Sequence, residues 1–236
     1  MKQGNLSSGL RKRNLTCLVC LLVSGFIWNA PSQAALLNFV PPTNPDLYSA
    51  NLTASLTVSF NASSGLFTVS GGTSAYTPAD TSLNNGDPYT VSNDGGFDPG
   101  TFSLTATIST NGTLLGGTME ITGGLYDDSY NQIAPDGTVL LQGNLTAFGY
   151  AGYNDMPDQF DFEVALTSGA LMADYGGEAY ILLHPGDTSF DNDFTVSFSN
   201  DGLGDADTKS IPEPGSGLLV AVSLLGLCEV ARRRRK

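Results

Sequence analysis

Lysine and arginine are missing from the whole middle of this chain: none occurs between Ala35 and Thr208. Of the 10 basic residues, four lie in Lys2 to Arg13, five in Arg232 to Lys236, and Lys209 stands alone. The same central span holds 21 of the 23 Asp and Glu residues, so it is more acidic than the net charge of −13 suggests. A surface of that sign repels nucleic acid and anionic membranes, which nearly excludes both as partners of this span. No Lys or Arg ion pair can form inside the span. Its carboxylates must be solvated, hydrogen-bonded to hydroxyls and amides, or bound to cations, of which Ca²⁺ is the natural choice outside a cell.

Cysteine is equally scarce. Cys17 and Cys20 lie near the start and Cys228 near the end, so neither disulfides nor thiol chemistry serve the middle. The single Trp28 is also near the start, and His184 is the only histidine. A hydrolase triad or a zinc site therefore lacks its parts, and no Gly-x-Ser-x-Gly occurs. Phosphate-cradling loops ahead of a helix are absent too. Beside Pro185-Gly186, His184 reads as a strand-end residue.

What is present begins with an export signal. Met1 to Ala34 has the layout of a secretory signal peptide: Lys2, Arg11, Lys12 and Arg13 come first, then the apolar run Leu15 to Trp28. Ser32 and Ala34 put small residues where signal peptidase needs them, so cleavage is expected after Ala34, with Ala35 as second choice. Val19 before Cys20 is too bulky for a lipoprotein site. A retained N-terminal membrane helix is the weaker alternative, because the run is short.

The end of the chain reads IPEPGSGLLVAVSLLGLCEVARRRRK from Ile211 to Lys236. Pro212 and Pro214 lack a backbone N–H and have φ fixed near −65°, which keeps the triplet with Glu213 extended. Residues 215–231 are predominantly apolar. At about 1.5 Å per residue they predict a transmembrane helix of roughly 25 Å, just short of a ~30 Å hydrocarbon core. Arg232, Arg233, Arg234, Arg235 and Lys236 then form a cytoplasmic anchor.

This order of Pro-Glu-Pro, apolar helix and Arg cluster resembles the PEP-CTERM sorting signal of Gram-negative and related bacteria. The resemblance covers about a tenth of the chain and rests on Pro212, Glu213, Pro214, Gly217 to Cys228 and Arg232 to Arg235. Glu229 is a departure, one turn from the Arg cluster, where it can reach the interface. The resemblance implies an exosortase as processing partner, cutting near the triplet and passing the ectodomain from the inner membrane to the cell surface or matrix. It further implies a structural or adhesive role in the envelope or with exopolysaccharide. An ordinary C-terminal anchor with an accidental triplet is the competing reading.

Between these ends a period-2 pattern dominates. Leu52 to Phe60 alternates apolar and hydroxyl residues, Asn61 to Gly65 turns, and Leu66 to Ser70 returns. Phe102 to Ser109, a turn at Asn111-Gly112, and Gly117 to Thr122 echo that hairpin. The polar stretch Gly71 to Gly100 reads as a functional loop or as a loop with one short strand around Tyr89–Val91, and further strands are predicted at Thr138–Tyr150, Gln159–Thr167, Glu178–Leu183 and Asp193–Ser199, with one helical turn in Gly169–Tyr175. The Pro-punctuated Leu36 to Tyr48 reads as an edge strand or extended arm. The expected fold is an all-β, antiparallel β-sandwich over residues 35–201, jelly-roll or Greek-key like. Residues 202–210 read as a polar linker.

Candidate chemistry rests on carboxylates. Asp161 and Glu163 share one face of a predicted strand, and glycosidases pair carboxylates about 5–9 Å apart. A secreted carbohydrate-active enzyme is thus an alternative, one that Glu163→Gln would abolish. Asp191, Asp193, Asp201, Asp205 and Asp207 lie among flexible glycines and suit a structural Ca²⁺, although the closing Glu of an EF-hand loop is absent. Asp94, Asp98, Asp127 and Asp128 are further candidates. Tyr126, Tyr130, Tyr150 and Tyr153, near Asp127, Asp128 and Asp155, would suit sugar binding, while half-buried sheet tyrosines are the plainer expectation. The favoured expectation is a non-enzymatic surface protein. A permanently anchored binding module is a third reading.

Overall fold

A computed structural model of the chain describes residues 36–37, 43–48, 56–95, 98–152, 158–186, 188–200 and 204–211. Signal peptide, sorting triplet, predicted transmembrane helix and Arg cluster therefore lie outside the described residues. Among the described residues, no helix is long and apolar enough to cross a membrane.

The alternating pattern does become antiparallel sheet. The strands are β1 (Asp46–Tyr48), β2 (Thr57–Asn61), β3 (Leu66–Thr73), β4 (Ala75–Thr77), β5 (Tyr89–Ser92), β6 (Gly100–Ile108) and β7 (Leu114–Thr122). There follow β8 (Gly124–Tyr126), β9 (Gln132–Ala134), β10 (Val139–Ala151), β11 (Gln159–Ser168), β12 (Glu178–His184), β13 (Phe198–Ser199) and β14 (Asp205–Ser210). Among the described residues the only α-helical turn is α1 (Met172–Tyr175), ended by Gly176 at φ 72°, a left-handed position that glycine adopts without steric cost.

Where two packed sheets were expected, the strands form one sheet that curls onto itself, in the order β13-β2-β3-β6-β7-β10-β11-β12-β14-β1-β4-β5-β8-β9. The register explains the curl. β3 and β4 are one line of chain interrupted only by Ser74; its first part pairs with β6 and its second with β1. Ser74 donates to the Tyr48 carbonyl at 3.2 Å and accepts from the Val91 amide at 2.9 Å, so it is bonded on both sides of the bend. β7 and β8 are likewise interrupted only by Gly123. A Cβ on Gly123 would lie 2.8 Å from Val91 Cγ1 and 3.2 Å from Gly100 Cα, so the bend needs glycine for close approach. Bent strands of this kind carry a sheet around a corner.

The inner faces meet in an aromatic cluster. Phe67 on β3 sits 5.2 Å from Phe160 and 5.7 Å from Phe162 of β11, centroid to centroid. Phe60 on β2 meets Phe194 edge-on at 5.1 Å. Phe190, Phe194 and Phe198 recur every fourth residue, and all three point inward. The predicted strand Asp193–Ser199 is accordingly mostly loop: only Phe198–Ser199 pairs, while Asp193 caps a turn by accepting from Thr195 N–H at 2.8 Å. The two hairpins that echo each other, β2–β3 and β6–β7, lie side by side through β3 and β6.

Truncating the centre of this cluster tests its weight. Phe160 is 0 % exposed and touches Phe67, Phe148, Phe190 and Phe198. Phe160→Ala should cost about 3–5 kcal/mol, and Thr107→Ala on the exposed side of β6 within about 0.5 kcal/mol of nothing. Urea unfolding of both variants checks the difference.

Candidate functional sites

The segment ahead of the sorting triplet is not the polar linker the sequence suggested. Residues 205–210 form β14, paired with β12 on one edge and β1 on the other. Its alternation was present but muted. Ala206 and Thr208 face the core, 8 % and 1 % exposed, while Asp205, Asp207 and Lys209 face outward. Buried Tyr175 of α1 donates its hydroxyl to the Thr208 carbonyl at 2.7 Å, tying the strand down from beneath. β1, expected as an edge strand or arm, is likewise internal, between β14 and β4.

Lys209 therefore belongs to the sheet, and it forms the ion pair that the span up to Thr208 cannot. Its Nζ lies 2.6 Å from Asp46 Oδ2, with both side chains mostly covered, 18 % and 15 % exposed. Burial pushes the Asp46 carboxyl above its usual range despite Lys209, and Asp46 Oδ1 is buried without a hydrogen-bond partner.

Register places further ionisable groups on this outer face. Glu163, Tyr180, Lys209 and Asp46 form one cross-strand row; Asp161, Leu182, Asp207 and Tyr48 form the next. Asp161 is 0 % exposed. Its Oδ2 accepts from the Tyr180 hydroxyl at 2.7 Å and from the Leu37 amide at 3.0 Å, and its Oδ1 has no partner. Burial is the main cause that raises the Asp161 carboxyl, and it raises Asp207 likewise. The two carboxylates expected to act together thus differ in access: Asp161 is fully buried with the Leu37 amide on its Oδ2, and Glu163 is half-buried. At the end of β12, His184 Nδ1 sits 3.6 Å from Asp205 Oδ2, and that hydrogen-bonding carboxylate raises the imidazole above its usual value.

The suggested Ca²⁺ ligands are dispersed. Asp205 and Asp207 sit on β14, Asp191 and Asp193 on the loop before β13, and Asp201 lies outside the described residues. Among the described residues no group of three or more His, Cys, Asp or Glu is arranged to hold a metal ion. The loop carboxylates instead accept from turn and loop donors, Asp127 and Asp94 within their own turns and Asp128 from a second loop. Asp127 accepts from the amides of Ser129 and Asn131 at 2.9 and 2.8 Å, and these bonds, with that from the Asn131 side chain, hold it below its usual range. Asp94 accepts from the Asp98 amide at 2.6 Å, and Asp128 accepts from Asn85 Nδ2 at 2.7 Å.

The tyrosine group is also split. Tyr126 and Tyr150 are buried, 6 % and 7 % exposed; Tyr126 donates to Asp136, and Tyr150 packs on Phe148, Phe190 and Phe194. Tyr130 stands 69 % exposed, and Tyr153 and Asp155 lie outside the described residues. The sequence reading missed a groove on the outer face of β6, β7 and β10, of about 360 Å³, lined by residues including Ser103, Thr105, Thr118, Glu120, Gln142 and Asn144. Its only sequence signal was the recurrence of hydroxyl and amide residues, with Glu120 among them, at outward positions.

Comparison with known proteins bears on the tail. Residues 210–236 match the family model described as the PEP-CTERM protein-sorting motif. No curated protein and no solved structure matches the chain. The chain thus ends in a PEP-CTERM sorting motif, and its first residue is the last residue of β14.

The raised carboxyls have a consequence for stability. Asp46, Asp161 and Asp207 bind their protons more tightly folded than unfolded, so this contribution is fully present below about pH 3.8 and is lost as pH rises through the raised folded values. Asp161→Asn keeps an acceptor for Leu37 and Tyr180 and removes the buried charge. The fall in Tm between pH 4 and pH 7.5 should therefore be smaller in this variant than in the parent chain. Thermal unfolding at the two pH values checks the trend.

Proposed function

We propose that this protein is an exported, non-enzymatic β-domain, delivered to the cell surface or extracellular matrix through its C-terminal sorting motif. The match of residues 210–236 to that motif carries the reading. Signal peptidase would free the chain at Ala34, and an exosortase would act at Pro212, Glu213 and Pro214. Helix 215–231 and the cluster Arg232 to Lys236 would hold the precursor in the inner membrane until then. The absence of Lys, Arg and Cys between Ala35 and Thr208 suits a structural or adhesive envelope component better than a catalyst. Burial of Asp161 weighs against the paired-carboxylate glycosidase, because a substrate has no path to that side chain.

The structure adds a constraint on processing. Only Ile211 separates the last residue of β14 from Pro212. At ~3.3–3.6 Å per residue the one-residue connection can carry Pro212 no more than about 7 Å from the end of β14. Moreover, Asp46 opens β1 directly beside Lys209, so the chain enters and leaves the sheet at one end. A membrane-embedded enzyme must therefore work against the folded domain, or β14 must peel from two neighbours.

Intact-mass analysis of protein from envelope and culture medium tests the reading. A species running from Ala35 to near Pro214 is expected. A tail intact through Lys236 would overturn sorting in favour of a permanently anchored binding module. In the same cells, ten Gly/Ser residues inserted after Ile211 should speed appearance of the processed form several-fold in a pulse-chase. Equal rates would mean that the enzyme reaches the triplet unhindered.

A further inference from the structure

The outer face of β2, β3, β6, β7 and β10 is a lattice of hydroxyl and amide groups with one carboxylate, Glu120. Register aligns Ser59, Thr68, Thr105, Thr118 and Asn144 in one cross-strand row. The next row runs Thr57, Ser70, Ser103, Glu120, Gln142 and Ser168. Rows in such a sheet repeat every two residues, about 6.8 Å along the strands, with neighbours about 4.8 Å apart across them. Several members are already oriented by one another. Ser59 and Thr68 share a hydrogen bond of 2.7 Å; Gln142 Nε2 donates to Glu120 Oε2 at 3.1 Å, and Ser168 donates to Gln142 Oε1 at 2.8 Å.

The groove lies where these two rows cross β6, β7 and β10, and the backbone shows why it is concave there. A β-bulge shifts the β10–β11 register between Gln142 and Gly143, leaving Thr167 unpaired in the ladder. Bulges bend a strand and re-aim its side chains.

The lining selects a ligand class by what it offers and what it withholds. It contains hydroxyls, amides and one carboxylate, Glu120, with no cation. Phosphate, sulfate and uronate groups would find no counter-charge and would face Glu120. Met119 is its only large apolar lining residue and no aromatic ring is present, so lipid and apolar peptide have nothing to bury against. Vicinal sugar hydroxyls, which donate and accept together, complement such groups.

We propose that this groove and the hydroxyl rows that run through it bind a neutral polysaccharide chain, with Glu120, Gln142 and Asn144 as the central contacts. Each hydrogen bond adds roughly two- to tenfold in affinity. Without a stacking ring, a single sugar is held weakly, with Kd near millimolar. Affinity comes from repetition, as successive sugars engage successive positions along the rows. The inference rests on the export reading only for the protein's access to such polymers. Binding by purified protein does not depend on whether the tail is cut, so the two can fail separately.

The test is affinity gel electrophoresis of the full chain in mild non-ionic detergent, with dextran, mannan or soluble β-glucan cast in the gel. Alginate and polygalacturonate serve as acidic controls. Retardation by at least one neutral polymer is expected, unchanged between 50 and 500 mM NaCl because no ion pair is involved. The double variant Glu120→Ala/Gln142→Ala should lose at least tenfold in affinity, and Tyr130→Ser should lose nothing. The milder Glu120→Gln variant, with its Tm recorded, separates lost contacts from lost folding and should bind more weakly at unchanged Tm. Retardation by none of the neutral polymers would overturn the proposal. So would preference for the acidic polymers, or loss of binding in Tyr130→Ser but not in the double variant.

Discussion

The pairing of β14 on both its edges is the constraint from which the rest follows. With β14 in place, β12 and β1 are joined, and β1 hands the sheet on to β4, which is the same line of chain as β3. Remove it and β12 and β1 both become free edges, with backbone donors and acceptors exposed to any other chain. The strand that closes the sheet comes last in sequence and runs directly into the sorting motif. Closure is therefore a long-range event: it must wait until nearly the whole domain is available, and it costs the loop entropy of bringing residues 46–48 and 205–210 together.

Charge explains how so acidic a domain holds together. Its loop carboxylates accept from backbone amides within their own turns, as Asp127 does from Ser129 and Asn131, and Asp193 from Thr195. That solution is local and leaves the exposed acids ionised. On the sheet it fails, because strand amides are already paired. There the acids either take a cation, as Asp46 takes Lys209, or sit against hydroxyl and amide donors with a raised carboxyl, as Asp161 does. Lys209 is the one Lys or Arg among the described residues, and it stands where a carboxylate would otherwise be covered without a counter-charge.

Legibility in the sequence tracked how much apolar surface each element buries. β6, β7, β11 and β12 alternate large apolar residues with hydroxyls or acids, and their positions could be read closely. β14 buries only Ala206 and Thr208, so its Asp-Ala-Asp-Thr-Lys-Ser reads as polar linker although its period is right. β4, β8 and β9 span three residues each, too short for any periodicity to register. The opposite error arose at Asp193–Ser199, where Phe194 and Phe198 suggested a strand. Those rings enter the core from a loop, at a spacing of four with Phe190, while the backbone turns at Asp193.

The same logic separates the two places where a sugar-binding surface was sought. Aromatic rings are the obvious signal in a sequence, but in a domain with no described tryptophan or disulfide they are also the largest means of filling a core. Tyr150 went there, and Tyr126 lies buried against its Asp136 partner. The hydroxyl and amide side chains carry no such demand, since burying them unpaired is costly, and so they stay on the outer face in register. A binding surface in this fold is therefore assembled from residues that individually look like filler. It becomes visible only when the pairing shows that Thr105, Thr118 and Asn144 are neighbours, as are Ser103, Glu120 and Gln142.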